Sequence, residues 1–138
     1  MANIIIYLKY DGVLKYSVNL DRADKFKPIH EGTWVGLEAG DTFTWKVSSQ
    51  PDQLEKIKVK KVNKKTGVIL PKGSWKTQWT QPPTRVSDTE YTGQPNGEGA
   101  TPDNPFAFAY DIDYKISSSS GWQTLDPGLW IPPPPPED

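Results

Sequence analysis

The chain contains no cysteine. Disulfides, thiolate nucleophiles, iron–sulfur clusters and cysteine-ligated zinc are therefore excluded. It holds a single histidine, His30, so a blue-copper centre has no ligand set. Apolar runs are short, and none approaches the ~18 residues of a membrane-spanning helix. Neither sign of charge is in excess: the net value is −1, which provides no global field for nucleic acid. One methionine stands beside fourteen prolines and eleven glycines, a composition of many turns and few helices. Residues 1–9 lack the basic start, long apolar centre and small-residue cleavage site of a secretory signal. A cytoplasmic location is expected, with signal-independent export as the alternative. Gly97-Glu98-Gly99 lacks the third glycine and the following helix of a nucleotide loop.

What is present is alternation. Phe106, Phe108, Tyr110, Ile112, Tyr114 and Ile116 occupy every second position. Ala107, Ala109, Asp111, Asp113 and Lys115 fall between them. In an extended strand this pattern makes one face apolar and the other small, then charged. The rest of the chain must supply a second apolar layer. Residues 3–9 read as a first strand, Asp11-Gly12 as a hairpin turn, and Leu14, Tyr16, Val18 and Leu20 as the apolar face of a second strand. Residues 21–32 form a polar connection, in which Asp21 could cap one helical turn before Pro28. Short strands follow at 33–37 and 42–47, the latter with Phe43, Trp45 and Val47 on one face. Ile57 and Val59 alternate with lysines in a strand from Leu54 to Val62. Residues 63–67 make a turn and Val68-Ile69-Leu70 a short apolar piece. Residues 73–80 read as a strand ended by Pro82-Pro83, and residues 86–92 as a weaker one. Residues 93–105 form a long loop. A last strand runs from Trp122 and Thr124 to Leu129-Trp130-Ile131, bent at Asp126-Pro127-Gly128. The expectation is an all-β chain: an antiparallel β-sandwich, Ig-like or cupredoxin-like, of about eight strands. One domain spans 1–131, and residues 132–138 are a proline-rich tail.

Two stretches carry a resemblance. Glu38-Ala39-Gly40-Asp41-Thr42-Phe43-Thr44-Trp45-Lys46-Val47 resembles the Gly-Asp-Thr strand of cupredoxin-like sandwiches, without their copper ligands. The hairpin from Tyr110 to Ile116, through Leu125-Asp126-Pro127 to Trp130-Ile131, is similar to small bacterial inclusion-body proteins of the AidA and PixA type. That resemblance implies a cytoplasmic β-sandwich without an established enzymatic role.

Candidate chemistry is sparse. His30 sits beside Glu31 with no serine placed to form a triad, and a surface histidine is the simpler reading. Asp111 and Asp113 share a strand face ~6.6 Å apart. They could hold calcium with Asp103 or Glu98, or form a glycosidase pair. The simpler account is two solvent-facing aspartates near Lys115 and a cross-strand lysine. Lys56, Lys58, Lys60, Lys61, Lys64 and Lys65 could meet a polyanion. They lack interleaved aromatics, and lysines along a strand more often guard an edge. Trp75 and Trp79 lie four residues apart. If 74–80 is one strand they share a face and could form a saccharide platform. Burial in the core is the competing account, but six tryptophans are many to bury. Pro132–Pro136 would extend ~15 Å as polyproline II, either as a stiff tail or as a ligand for a proline-reading partner.

The sequence therefore points to a non-catalytic β-sandwich, not an enzyme, that acts by binding or by self-assembly. Its expected partner is a further copy or another protein, with no nucleic acid and no membrane span. No cofactor and no metal site are expected. The alternative is a lectin-like carbohydrate-binding module using Trp75 and Trp79. A third reading is a carboxylate hydrolase using Asp111 and Asp113.

Overall fold

The computed structural model describes residues 3–29, 34–36, 40–49, 53–61, 74–75, 79–95, 106–117, 121–125 and 128–131. His30, the 63–67 turn, the 68–70 segment, the stretch 96–105 with Glu98 and Asp103, and the proline tail lie outside them. The strands in the first half are β1 (Asn3–Tyr10), β2 (Leu14–Val18), β3 (Lys27–Pro28), β4 (Trp34–Gly36), β5 (Thr42–Val47) and β6 (Leu54–Lys61). Those in the second half are β7 (Ser74–Trp75), β8 (Trp79–Ser87), β9 (Glu90–Pro95), β10 (Phe106–Ile116), β11 (Gln123–Leu125) and β12 (Gly128–Ile131). The described helical residues are a single 3₁₀ turn, Ala23–Lys25. The fold is all-β.

Two sheets form a sandwich. The first has the order β3-β2-β1-β5-β9-β8. The second is organised on β10. Ile112 pairs with Val59 of β6 and with Leu125 of β11, so these strands lie on opposite edges. β11 and β12 share one edge, because the offset never slips from Tyr114↔Gln123 to Ala109↔Gly128 and Phe106↔Ile131. They pair with β10 in the register of one strand, and Asp126 and Pro127, where a bend was expected, lie outside the described residues.

Most pairings are antiparallel, but β1–β5, β10–β7 and β12–β4 are parallel. The β1–β5 pairing follows from the route of the chain. The β1–β2 hairpin fills one edge of β1. The chain then crosses to the second sheet as β4 and returns to the free edge as β5, running the same way. Asn3 Oδ1 accepts hydrogen bonds from the Thr42 and Thr44 hydroxyls, at 3.1 and 3.2 Å, and ties the two strand starts together.

The core lies where the alternating apolar faces meet. Ile6, Leu8, Phe43, Trp45, Tyr110 and Ile112 are each 0% exposed. Tyr110 of the second sheet lies 5.2 Å, ring centroid to centroid, from Trp45 of the first. Tyr10 and Tyr114 make a second cross-sheet contact at 6.1 Å. Aromatic pairs at such distances add directional attraction to area burial.

Three local expectations are corrected. The alternation of β2 ends early. Asn19 adopts φ +64°, which asparagine tolerates better than most residues. Its side chain accepts the Ile5 N–H at 2.8 Å. Ser17 is buried and donates to the Leu20 carbonyl at 2.6 Å, while Val18 and Leu20 are exposed. Asp21 does not cap the short helical turn, which has no side-chain cap. The third correction concerns β8, which does not end at Pro82-Pro83 but runs through both to Ser87. It can do so because it is the last strand of its sheet, and its register on β9 shifts between Gln81 and Thr84. Proline is tolerated at edges and bulges, where no ladder N–H is needed. Gly93 faces this bulge. A Cβ there would lie 3.2 Å from the Gln81 carbonyl oxygen and from Pro83. Residues 86–92 are therefore a hairpin turn at Asp88–Thr89 rather than a strand of their own.

Candidate functional site

The second sheet turns one face to the core. Tyr110, Ile112, Tyr114 and Ile116 are buried, so Asp111, Asp113 and Lys115 point away. Antiparallel partners share a face. This sets Lys60 opposite Asp111, Lys58 opposite Asp113 and Lys56 opposite Lys115. On the other edge Thr124 stands opposite Asp113. Continuing that offset by two residues places Trp122 level with Lys115.

The β6 lysines lean along the sheet. Lys60 Nζ reaches Asp113 Oδ2 at 3.2 Å. Lys58 crosses β10 and sets its ammonium 4.5 Å from the centroid of the Trp122 ring. Thr124 Oγ1 donates to Asp113 Oδ1 at 2.7 Å, so both oxygens of that carboxylate are engaged. Lys56 approaches Asp88 at 4.0 Å. The Arg85 guanidinium, hydrogen-bonded to Asp88 at 2.8 Å, holds that carboxyl below its usual range. Lys58 and Lys115 have no carboxylate at ion-pair distance among the described residues. On its outer side β6 also meets the β8–β9 turn, where Ile57 N–H donates to the Asp88 carbonyl at 2.9 Å. The edge expected to be guarded by lysines is the corner where the two sheets meet.

The described tryptophans have three fates. Trp45 is wholly buried. Trp79 is half-buried and packs against the core. Trp122 is 43% exposed on the lysine–aspartate face. The side chains of Trp34, Trp75 and Trp130 are outside the described residues. The platform expected of Trp75 and Trp79 required one regular strand from Ser74 to Thr80. Trp75 instead pairs with β10 in the second sheet, and Trp79 opens β8 in the first. Alternation along a single strand therefore does not bring the two indoles to one face. The tryptophan that sequence reasoning passed over is Trp122. Its signal was modest: it alternates with the polar Thr124 in the last strand, so it shares an outward face.

Other polar groups are held structurally. The Tyr114 hydroxyl donates to Gln123 Oε1 at 3.2 Å. Burial and then the neighbouring Tyr10 push its phenol up, so it stays protonated at neutral pH. Ser48 and Ser49 hydroxyls and the Ser49 N–H all donate to the Asp21 carboxylate. Burial raises the Asp21 pKa, but those donors, with Lys46 nearby, outweigh it and leave the value below the ordinary 3.8. Three donors already occupy that carboxylate, which leaves it a poor general base for a serine nucleophile. Its effect is on stability. A group whose pKa is depressed on folding stabilises the fold above its unfolded pKa, and the contribution is lost as pH falls through the lower folded value. Asp21→Asn should therefore lower the thermal midpoint at neutral pH. The gap to the wild type should close as pH falls below about 4. A gap that does not change with pH in melting curves across the acid range would refute this account.

Among the described residues, no group of three or more histidines, aspartates and glutamates is placed to hold a metal ion. No described helix is long and apolar enough to cross a membrane. Fold and surface together define an all-β sandwich with one charged, tryptophan-bearing sheet face. No family model matches the chain, and no curated protein matches it.

Proposed function

We propose that this chain is a non-catalytic β-sandwich that acts by binding or by self-assembly. The observation that carries the reading is the setting of Asp113. Thr124 and Lys60 occupy its two oxygens on the outer sheet face, where the carboxylate is half-buried. A hydrolase carboxylate instead needs a pocket that tunes its pKa, and a partner across a bound substrate. A groove of about 370 Å³ lies elsewhere, beside β2 and β4. Among the described residues its lining includes Lys25 and Lys27 but no carboxylate. The likeness of the C-terminal hairpin to inclusion-body proteins favours assembly. The exposed Trp122 favours a second reading, carbohydrate binding, with Trp122 in the place first given to Trp75 and Trp79.

Two measurements test the proposal. Sedimentation velocity across a wide concentration range reads self-association. Release of reducing ends from a panel of polysaccharides reads hydrolysis. No release attributable to the protein is expected. Release by the wild type that disappears in the double variant Asp111→Asn/Asp113→Asn would overturn the non-catalytic reading.

A further inference from the structure

We propose that the outer face of β6, β10 and β11 binds an acidic glycan, one that alternates uronic acid with neutral sugar, and that Trp122 is its stacking residue. The inference rests on the reading of the chain as a binding module and names the ligand class. Three features of the face converge on it. Trp122 offers an exposed indole, whose flat apolar ring suits the C–H face of a pyranose and whose N–H suits a hydroxyl. One cation lies on that indole, Lys58 at 4.5 Å from the ring centroid, and Lys115 is level with it when the β10–β11 register is continued by one residue. Neither has a carboxylate at ion-pair distance among the described residues, while Asp113 across the strand and Asp88 feel the charge of Lys58 without closing on it. The third feature is polarity along the strands. Asp111 and Asp113 follow along the same face, with Asp113 in the row beside Lys115 and Asp111 one row further. Each carboxylate oxygen has two lone pairs, so Asp113 can accept further donors beyond Thr124 and Lys60.

The face thus gathers the Lys58 ammonium, Lys115 and the indole in one row, and carries Asp111 and Asp113, with Lys60 beside them, in the next two. A chain with a carboxylate on one ring and only hydroxyls on the next satisfies both sets. A phosphodiester strand does not: it carries a charge at every nucleotide and would drive phosphates against Asp111 and Asp113. A neutral glycan would leave Lys58 and Lys115 without an anion.

The test uses the full chain and three probes, with affinities read by calorimetry. These are a hexasaccharide alternating glucuronate with N-acetylglucosamine, an uncharged hexamer of N-acetylglucosamine, and a single-stranded oligothymidylate. The expected result is binding of the uronate hexasaccharide that weakens as salt is raised, because exposed charges are screened. Trp122→Ala should weaken it by about tenfold and Lys58→Gln by about threefold. Both residues are on the surface, and both variants should keep the wild-type thermal midpoint. If Trp122→Ala is unstable, Trp122→Phe replaces it and should retain most of the binding. Uronate binding indifferent to Trp122 and Lys58 overturns the site. Stronger binding of the uncharged hexamer overturns the ligand class, though the chain remains a binding module. Oligothymidylate binding lost in Trp122→Ala assigns the face to nucleic acid instead. Absence of binding to every probe overturns the inference, whereas only a chain that also fails to self-associate brings the wider binding reading down with it.

Discussion

Replacing Trp45 with alanine should cost about 3–5 kcal/mol of stability. Trp45 is 0% exposed. Its ring lies 5.9 Å from Phe43 on its own strand and 5.2 Å from Tyr110 on the opposite sheet. Removing it takes away both the buried area and the contact that joins the layers. The surrounding side chains belong to two separate sheets and cannot all collapse into one void. For a chain of this length, a loss of that size corresponds to a fall in melting temperature of roughly 10–17 °C. The Trp45 indole N–H is buried with no hydrogen-bond partner among the described residues. Trp45→Phe removes that N–H along with one ring. The relief of an unsatisfied donor offsets part of the lost packing, so its cost should be well below that of alanine. Chemical denaturation of both variants checks the pair. A loss under about 1 kcal/mol for Trp45→Ala, or a phenylalanine variant as damaged as the alanine one, would show that the two sheets do not meet at this ring.

Ile112→Ala should cost about 2–5 kcal/mol. Ile112 is 0% exposed and sits between Val59 on one edge and Leu125 on the other. It therefore lies mid-sheet as well as mid-core. Its neighbour supplies the control. Asp113→Ala removes a hydrogen bond and an ion pair on the outer face, where the lysine is exposed and the carboxylate half-buried, and surface pairs of this kind are worth about 1 kcal/mol. Successive residues should thus differ severalfold in effect, because a strand sends them to opposite faces. Equal losses at the two positions, or a loss under about 0.5 kcal/mol for Ile112→Ala, would mean that β10 is misplaced.

The strands that were legible in the sequence are those with a clear period of two. β10 reads directly from its alternation, and so do β5 and β6. In β6 and the described part of β10 one face is core and the other reaches solvent, and in β5 Phe43 and Trp45 face the core while Thr44 is buried on the other side. The turn at Gly12, with φ +79°, is legible because it needs a residue without a Cβ penalty. The elements misread are those whose cause lies elsewhere. β8 carries two prolines and little alternation, and it becomes a strand because β9 supplies a partner and its position at the sheet edge forgives the missing donors. The end of β2 is decided by Asn19 bonding to Ile5 of the neighbouring strand, at 2.8 Å from its side chain.

The candidate site follows the same division. The sequence by itself determined that Asp111, Asp113 and Lys115 share a face, that β6 alternates lysine with apolar residues, and that cysteine and multi-imidazole chemistry is absent. These are properties of spacing and composition along one segment. Only the tertiary structure decided that Lys60 closes on Asp113 and that Lys58 lies over Trp122. It also decided that Trp75 and Trp79 belong to different sheets. The reason is that strand pairing joins residues far apart in the chain through backbone hydrogen bonds whose register no local pattern specifies. A face assembled from three strands is invisible until those registers are set.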